Sequence, residues 1–267
     1  MSMILGTILV LVVIGLLVGL LLVFADETFS VETDPKAIAV RECLPGNNCG
    51  ACGHAGCDAM ADAIAKGEAP VNGCPVGGAA VAEKISAVMG VSADAAEKKV
   101  AFVKCAGTCE VTRLHSNYVG IESCEAVAGM PGKGIKSCQF GCLGYGSCVK
   151  VCQFDAIHVI DGVAKVDRTK CVACGKCVEA CPQNIIELVP DTSVYAVQCS
   201  SREKGPVVKK QCDVGCLGCM LCTRVCEHDA IHVTDNLAKI DYEKCVGCGK
   251  CAEKCPAKII RMRQAAH

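Results

Sequence analysis

The chain has 267 residues and a formal net charge of −1 from 27 basic and 28 acidic side chains. It holds 26 cysteines, but no tryptophan, four tyrosines and five phenylalanines. That balance offers no basic patch for nucleic acid, and so few bulky side chains exclude one large conventional core. Something bound by cysteine must organise much of the fold.

Residues 3–25, "MILGTILVLVVIGLLVGLLLVFA", carry no charged side chain. About 20 apolar residues suffice to cross a bilayer, so this run predicts a transmembrane anchor over residues 1–25. A cleaved signal peptide is the competing reading. No Lys or Arg precedes the run, and it is longer than the usual ~7–15-residue hydrophobic region. Acidic Asp26 and Glu27 come directly after it, without a small-x-small cleavage site. Lys36 and Arg41 lie just beyond the run, which places the rest of the chain in the cytoplasm. A cysteine-rich chain kept reduced needs the same compartment. The expectation is a single pass through the cell (inner) membrane, touching lipid through the N-terminal helix.

Residues 26–42 are polar and read as a tether. The first cysteine-rich module, 43–90, contains "NNCGACGHAGCDAM" and "VNGCPVGG", spaced Cys49-x2-Cys52-x4-Cys57-x16-Cys74. Glycines at 50, 53 and 56 let backbone N–H groups approach whatever the thiols hold. The segments "CDAMADAIAKGE" and "GGAAVAEKISAVMG" place apolar residues at helical spacing and close near glycine. Cys43 is expected to be a non-ligand and His54 a surface residue. Residues 91–137 read as a connector. Ser92 offers an N-cap there, Val100–Lys104 is strand-like, and Cys105, Cys109 and Cys124 fall in segments without a period.

Residues 138–182 recur as 212–256 at a constant offset of 74, with no gap. Each copy has two cysteine runs separated by alternating strands, "IHVI-DG-VAKV" and "IHVT-DN-LAKI". Asp-Gly and Asp-Asn suit a tight primed turn. Short helices should follow each run. The pattern predicts an α+β unit over 138–190, a linker over 191–211 and a second unit over 212–267.

"CVACGKCVEACP" (171–182) and "CVGCGKCAEKCP" (245–256) each read Cys-x2-Cys-x2-Cys-x3-Cys-Pro. Disulfide frameworks belong to short secreted chains. Zinc ribbons pair CxxC knuckles instead of forming triplets. The triplet with a fourth Cys-Pro is the run of bacterial two-cluster ferredoxins, in which the fourth cysteine ligates the neighbouring cluster. Crossed pairing assigns Cys171, Cys174 and Cys177 with Cys152. It assigns Cys245, Cys248 and Cys251 with Cys226, and Cys216, Cys219 and Cys222 with Cys255. Cys49, Cys52, Cys57 and Cys74 form a further set. Gln153 and Glu227 follow Cys152 and Cys226 where proline is usual, which alters the stiffness of the turn and not the thiols.

The first run of the first repeat, "CQFGCLGYGSCVKVC", is broken. Tyr145 stands where the second repeat has Cys219, Cys138 corresponds to Cys212, and Cys105 in "FVKCAG" resembles Cys199 in "AVQCSS". In one arrangement Cys138, Cys142, Cys148 and Cys181 hold a four-iron cluster. In the other, Cys142, Cys148 and Cys181 hold a [3Fe-4S] cluster and Cys138 joins Cys105, Cys109 and Cys124. The first is preferred, because a spare thiol lies close by. Cys105, Cys109 and Cys124 then need a fourth ligand, from Cys199 or Cys212. The expected complement is about six [4Fe-4S] clusters and at least five, one [3Fe-4S] cluster being the alternative.

The apolar N-terminal run, the CGxCGxxGC…CPVGG module and the tandem runs together resemble the B subunit of the Rnf electron-transport complex. The two tandem units and the "CLGYGSC" segment resemble the longer, clostridial-type form, over essentially the whole chain. The first module alone also resembles part of the corrinoid iron–sulfur protein of acetyl-CoA synthesis, whose cobamide-binding region this chain lacks. The Rnf resemblance implies a subunit of a membrane-bound ferredoxin:NAD+ oxidoreductase that couples electron flow to Na+ or H+ translocation. It implies reduced ferredoxin as donor, and partner membrane subunits that carry flavin, the nicotinamide site and the ion path. The residues agree with a subunit lacking catalytic residues of its own. There is no Rossmann glycine fingerprint after a strand and no nucleophile–base constellation. A membrane-anchored polyferredoxin serving a hydrogenase is the alternative, but it has no need of the first module. A tethered redox or metal sensor would bring an output domain.

Overall fold

The computed structural model describes residues 2–29, 34–92 and 97–263. Helix α1 spans Ser2–Phe29. Among the described residues no helix is long and apolar enough to cross a membrane. The expected transmembrane anchor is corrected accordingly, and the single-pass topology and lipid contact read from it lose their basis.

The first module is a small helical body. Helix α2 (Pro35–Cys43) begins inside the expected tether because the Asp34 carboxylate caps it, accepting the Lys36 N–H at 2.9 Å, and Pro35 opens its first turn. Helix α3 (Cys57–Ala65) buries Cys57, Met60, Ala61 and Ile64, the i, i+3, i+4, i+7 stripe of an amphipathic helix. Helix α4 (Gly78–Met89) buries Ala82 and Ile85 and stops at Gly90, whose φ of 69° is left-handed. Val40, Met60, Ile64 and Ile85 meet in one core. The Arg41 guanidinium reaches the Asp58 carboxylate at 2.6 Å and ties α2 to α3. The helix opening read at Ser92 falls on residues 93–96, outside those described.

Two ferredoxin-like units come next. Strand β1 (Lys99–Val103) opens the first, inside the segment expected to be a connector. It pairs antiparallel with β4 (Ile186–Pro190), from Lys99↔Pro190 to Val103↔Ile186. Between them lies the hairpin of β2 (Ile157–Ile160) and β3 (Val163–Val166), turning on Asp161 (φ 51°) and Gly162 (φ 76°) as a primed turn requires. The second unit repeats this plan. Strand β5 (Tyr195–Val197) pairs with β8 (Ile260–Met262), and β6 (Ile231–Thr234) with β7 (Leu237–Ile240) across Asp235 and Asn236. Buried Val100, Ile157, Ile186 and Val189 fill the first core, and Val197, Ile231, Ile259 and Ile260 the second. One-turn helices α6 (Ser147–Lys150), α7 (Lys176–Glu179), α9 (Leu221–Arg224) and α10 (Lys250–Glu253) carry the third cysteine of each run. Helices α5 (Cys124–Ala128) and α8 (Gly205–Gln211) lie outside the repeat.

The insertion after β1 ties the units together. Arg113 N–H donates to Gln211 O (2.8 Å), Asp213 N–H to Val111 O (2.9 Å), and Ser137 N–H to Arg113 O (2.8 Å). The Arg113 guanidinium grips both Asp213 carboxylate oxygens, at 3.1 and 2.8 Å.

Candidate iron–sulfur sites

All four cysteine runs have one backbone signature. The residues on either side of the second ligand position are left-handed: Gly144 and Gly146, Ala173 and Gly175, Gly218 and Met220, Gly247 and Gly249. Left-handed residues turn successive N–H groups inward and make an anion-binding concavity. For Ala173 and Met220 the conformation is strained by about 1–2 kcal/mol, the kind of strain that collects at functional sites. The broken run keeps this shape around Tyr145, so the loop retains the form of a cluster loop where its thiol is missing.

The thiols themselves gather in sets, and all 26 are free. Cys216, Cys219, Cys222 and Cys255 line one cavity, and Cys226, Cys245, Cys248 and Cys251 line another. Burial pushes the Cys177 thiol up to about 12, followed by the neighbouring Cys171, Cys174 and Cys152. In the first module, burial raises Cys74, with Cys52 and Cys57 adding to it. Cys49 lies close enough to act on Cys174.

Around Tyr145 the structure departs from the preferred arrangement. The cavity beside Cys142, Cys148 and Cys181 is lined by Cys124, not by Cys138. Burial pushes Cys148 up to about 12, and the thiols that add to it are Cys142, Cys124, Cys181 and then Cys177. Cys124 is the first residue of α5, whose N-cap is Ser123. Its N–H donates to the Ser147 hydroxyl at 3.0 Å. Tyr145 turns away and packs edge-on against Tyr118, ring centres 5.3 Å apart. Cys138 lines a different cavity, with Cys105, Cys199 and Cys212. Cys109 belongs to neither; its sulfur lies under the Gly162 turn. Cys43 packs partly buried against the first module's core.

These sets suit iron–sulfur clusters. Among the described residues, no three His, Cys, Asp or Glu side chains close round a single metal ion. A four-iron cube instead takes one thiolate at each corner, so its site is a cavity rimmed by cysteines. Burial and mutual repulsion hold bare thiols in their neutral form, up to about 12 at Cys148 and Cys177 and about 11 at Cys222. Cationic iron offsets that repulsion and binds the deprotonated form. Backbone N–H groups already point at sulfur: Ala101 to Cys171 (3.4 Å), Ala156 to Cys152 (3.4 Å), Ala164 to Cys142 (3.5 Å) and Ala230 to Cys226 (3.3 Å). Such donors stabilise thiolates and tune cluster potentials.

Residues 44–76 match the family described as "Putative Fe-S cluster", 164–187 the 4Fe-4S binding domain, and 213–262 the 4Fe-4S dicluster domain. The chain is 46% identical to the B subunit of the Na(+)-translocating ferredoxin:NAD(+) oxidoreductase complex of Acetobacterium woodii, over 93% of this chain and 74% of that protein. It is 43% identical to the B subunit of the ion-translocating oxidoreductase complex of Methanosarcina acetivorans, over 98% and 99%. With the B subunit of the proton-translocating ferredoxin:NAD(+) oxidoreductase complex of Clostridium ljungdahlii it shares 41% identity, over 98% and 93%.

Proposed function

The chain belongs to the B-subunit family of ion-translocating ferredoxin:NAD+ oxidoreductase (Rnf) complexes, and we propose that it takes electrons from reduced ferredoxin and relays them to its partner subunits. It is an iron–sulfur electron-transfer subunit of such a membrane-associated complex and carries several [4Fe-4S] clusters. We assign five of them to Cys49/52/57/74, Cys152/171/174/177, Cys124/142/148/181, Cys216/219/222/255 and Cys226/245/248/251. The cluster units face the cytoplasm in this reading, since a reducing compartment keeps thiolates available. Flavin, the nicotinamide site and the ion path belong to the partners.

The observation that carries the assignment is that three of the five sets each line a single cavity, on runs whose loops share left-handed residues. A bound [4Fe-4S] cluster supplies one-electron transfer at low potential. The chain's own residues do the rest. The cysteines fix each site, while Ile157, Ile186, Ile231 and Ile260 keep water from the cores beside them. N–H donors to sulfur set the preference for the reduced state.

The test is anaerobic purification of the full chain followed by addition of reduced ferredoxin. The expected result is about 20 or more irons per chain, four for each site, and bleaching of the visible absorption. NAD+ reduction should begin only when partner subunits are added. Little iron, or NAD+ reduction by the chain alone, would overturn the proposal.

A further inference from the structure

Four cysteines outside those five sets meet at the junction of the two units. Cys105 follows β1 and Cys199 follows β5, each two residues past its strand. Cys138 and Cys212 each stand four residues before the first cysteine of their run. Each unit therefore supplies one matched pair, and the two pairs line a single cavity. We propose that Cys105, Cys138, Cys199 and Cys212 are the ligands of a sixth [4Fe-4S] cluster, which bridges the two ferredoxin-like units. This rests on the iron–sulfur reading of the other five sites.

The cavity is built to approach sulfur. A side chain at Gly107 would begin 3.5 Å from Cys212 Sγ and 3.6 Å from Cys105 Sγ. One at Gly141 would begin 3.5 Å from Cys105 Sγ and 3.6 Å from Cys138 Sγ. Backbone therefore runs directly against the thiols, as it does in the ferredoxin loops. The donors are also matched between the units. Cys142 N–H points to Cys105 Sγ at 3.4 Å, and its repeat partner Cys216 N–H to Cys199 Sγ at 3.3 Å. Gly107 N–H adds a second donor to Cys105 at 3.4 Å, and the Thr112 hydroxyl reaches Cys212 Sγ at 3.7 Å.

Two further groups on the cavity wall call for an anion. Lys136 is buried, and its ammonium has carbonyl partners: Gly107 O (2.8 Å), Cys142 O (3.1 Å) and Gly162 O (2.7 Å). No carboxylate reaches it among the ion pairs of the described residues. A buried cation without a counter-charge is costly, and a cube held by four thiolates carries net negative charge. The second group is Gln211, whose Oε1 is buried without a partner on the same wall. Turning its amide by half a rotation offers the NH2 group to an acceptor in the cavity.

The position explains why the site should exist. Cys142, a ligand in the first unit, donates its N–H to Cys105, and Cys216, a ligand in the second, donates its N–H to Cys199. The junction set thus lies against ligands of both units, and is the step from the first unit to the second. It also accounts for the cysteines: six sets of four leave Cys43 and Cys109, the two thiols that join no set.

The test counts iron and sulfide, and reads cluster number by native mass spectrometry, in the full chain kept anaerobic. About 24 irons and six clusters are expected, because the remaining 22 cysteines provide five sets. About 20 irons, with or without one zinc, would overturn the sixth site while leaving the other five standing; almost no iron would overturn the reading beneath both. In the Cys138→Ser/Cys212→Ser variant the chain should lose about four irons, with no loss in Cys109→Ser. An unchanged count in the double variant would overturn the proposal. Should that variant fail to fold, the cluster number of the unaltered chain still decides.

Discussion

Cys124 donates its backbone N–H to the hydroxyl of Ser147, at 3.0 Å, and Ser147 precedes Cys148 in the sequence. That bond, with Ser147 itself donating to the Glu125 carboxylate at 2.7 Å, holds the start of α5 against the broken run. In the assignment proposed above, Cys124 takes the place that Tyr145 vacates. In Cys124→Ser the affected site should lose one iron or its whole cluster, giving the EPR signal of an oxidised three-iron cluster or a loss of about four irons. Because Gly144 and Gly146 keep the loop's shape, adding Tyr145→Cys to that variant should restore the four-iron signal. An unchanged EPR spectrum in Cys124→Ser would show that this ligand is misassigned.

Three of the four runs were legible because their chemistry is local: three thiols two residues apart, around a loop, need no tertiary information. The hairpins were legible for the same reason, Asp-Gly and Asp-Asn turning with positive φ at both residues. Cys124 was not. It lies in an insertion that breaks the offset, from 74 at Cys138/Cys212 to 94 at Cys105/Cys199, and no spacing rule connects it to Cys148. The junction site needs the two units docked before its pairs can meet. Helix α2 did leave a signal, Asp34-Pro35, an N-cap followed by proline, but the polar composition around it read as a tether. The apolar N-terminal run read as a transmembrane anchor, but no helix among the described residues is long and apolar enough to cross a membrane.

The paired hairpins make a steric prediction. Gly162 and Asn236 occupy the same turn position, at φ 76° and 61°. A side chain at Gly162 would begin 2.6 Å from Cys109 Sγ. Asn tolerates the dihedral, so the difference between the turns is the sulfur. Gly162→Asn should destabilise the first unit by about 1–3 kcal/mol, the range for overpacking a filled site. Asn236→Gly should change little, and Cys109→Ala should recover part of the Gly162→Asn loss. Rates of cluster bleaching in urea measure all three, and equal sensitivity at 162 and 236 would refute the steric account.

The inter-unit segment should respond to acid through Asp191. Burial pushes its carboxyl up, but hydrogen bonds and charge from Arg168 and Lys98 outweigh this and hold it below the ordinary carboxylate range. Arg168 reaches Asp191 Oδ1 at 2.7 and 3.0 Å. A depressed pKa means stability that is present above the unfolded value, about 3.9, and lost as pH falls through the folded one. Asp191→Asn should therefore speed hydrogen exchange at the Ser193 and Arg263 amides about fivefold at pH 7, for a contribution of about 1 kcal/mol. The gap between variant and unaltered chain should close in acid, below about pH 4. A gap that persists there would assign the effect to packing.

Lys136 makes the sharpest electrostatic prediction. Its positive charge is buried beside Cys105, Cys138 and Cys142, and it lowers the pKa of each thiol against the larger effect of burial. The same field favours adding an electron to anything those sulfurs hold. Lys136→Met keeps the length of the side chain and removes the charge. The clusters nearest it should become harder to reduce, by about 60 mV for each 1.4 kcal/mol of lost stabilisation in a one-electron couple. Lys210 stands at the equivalent position in the second repeat but is exposed, so solvent screens it, and Lys210→Met should move no potential. EPR-monitored redox titration separates the outcomes. A negative shift confined to one or two clusters in Lys136→Met supports the buried counter-charge, and equal shifts in the two variants would remove it as the cause.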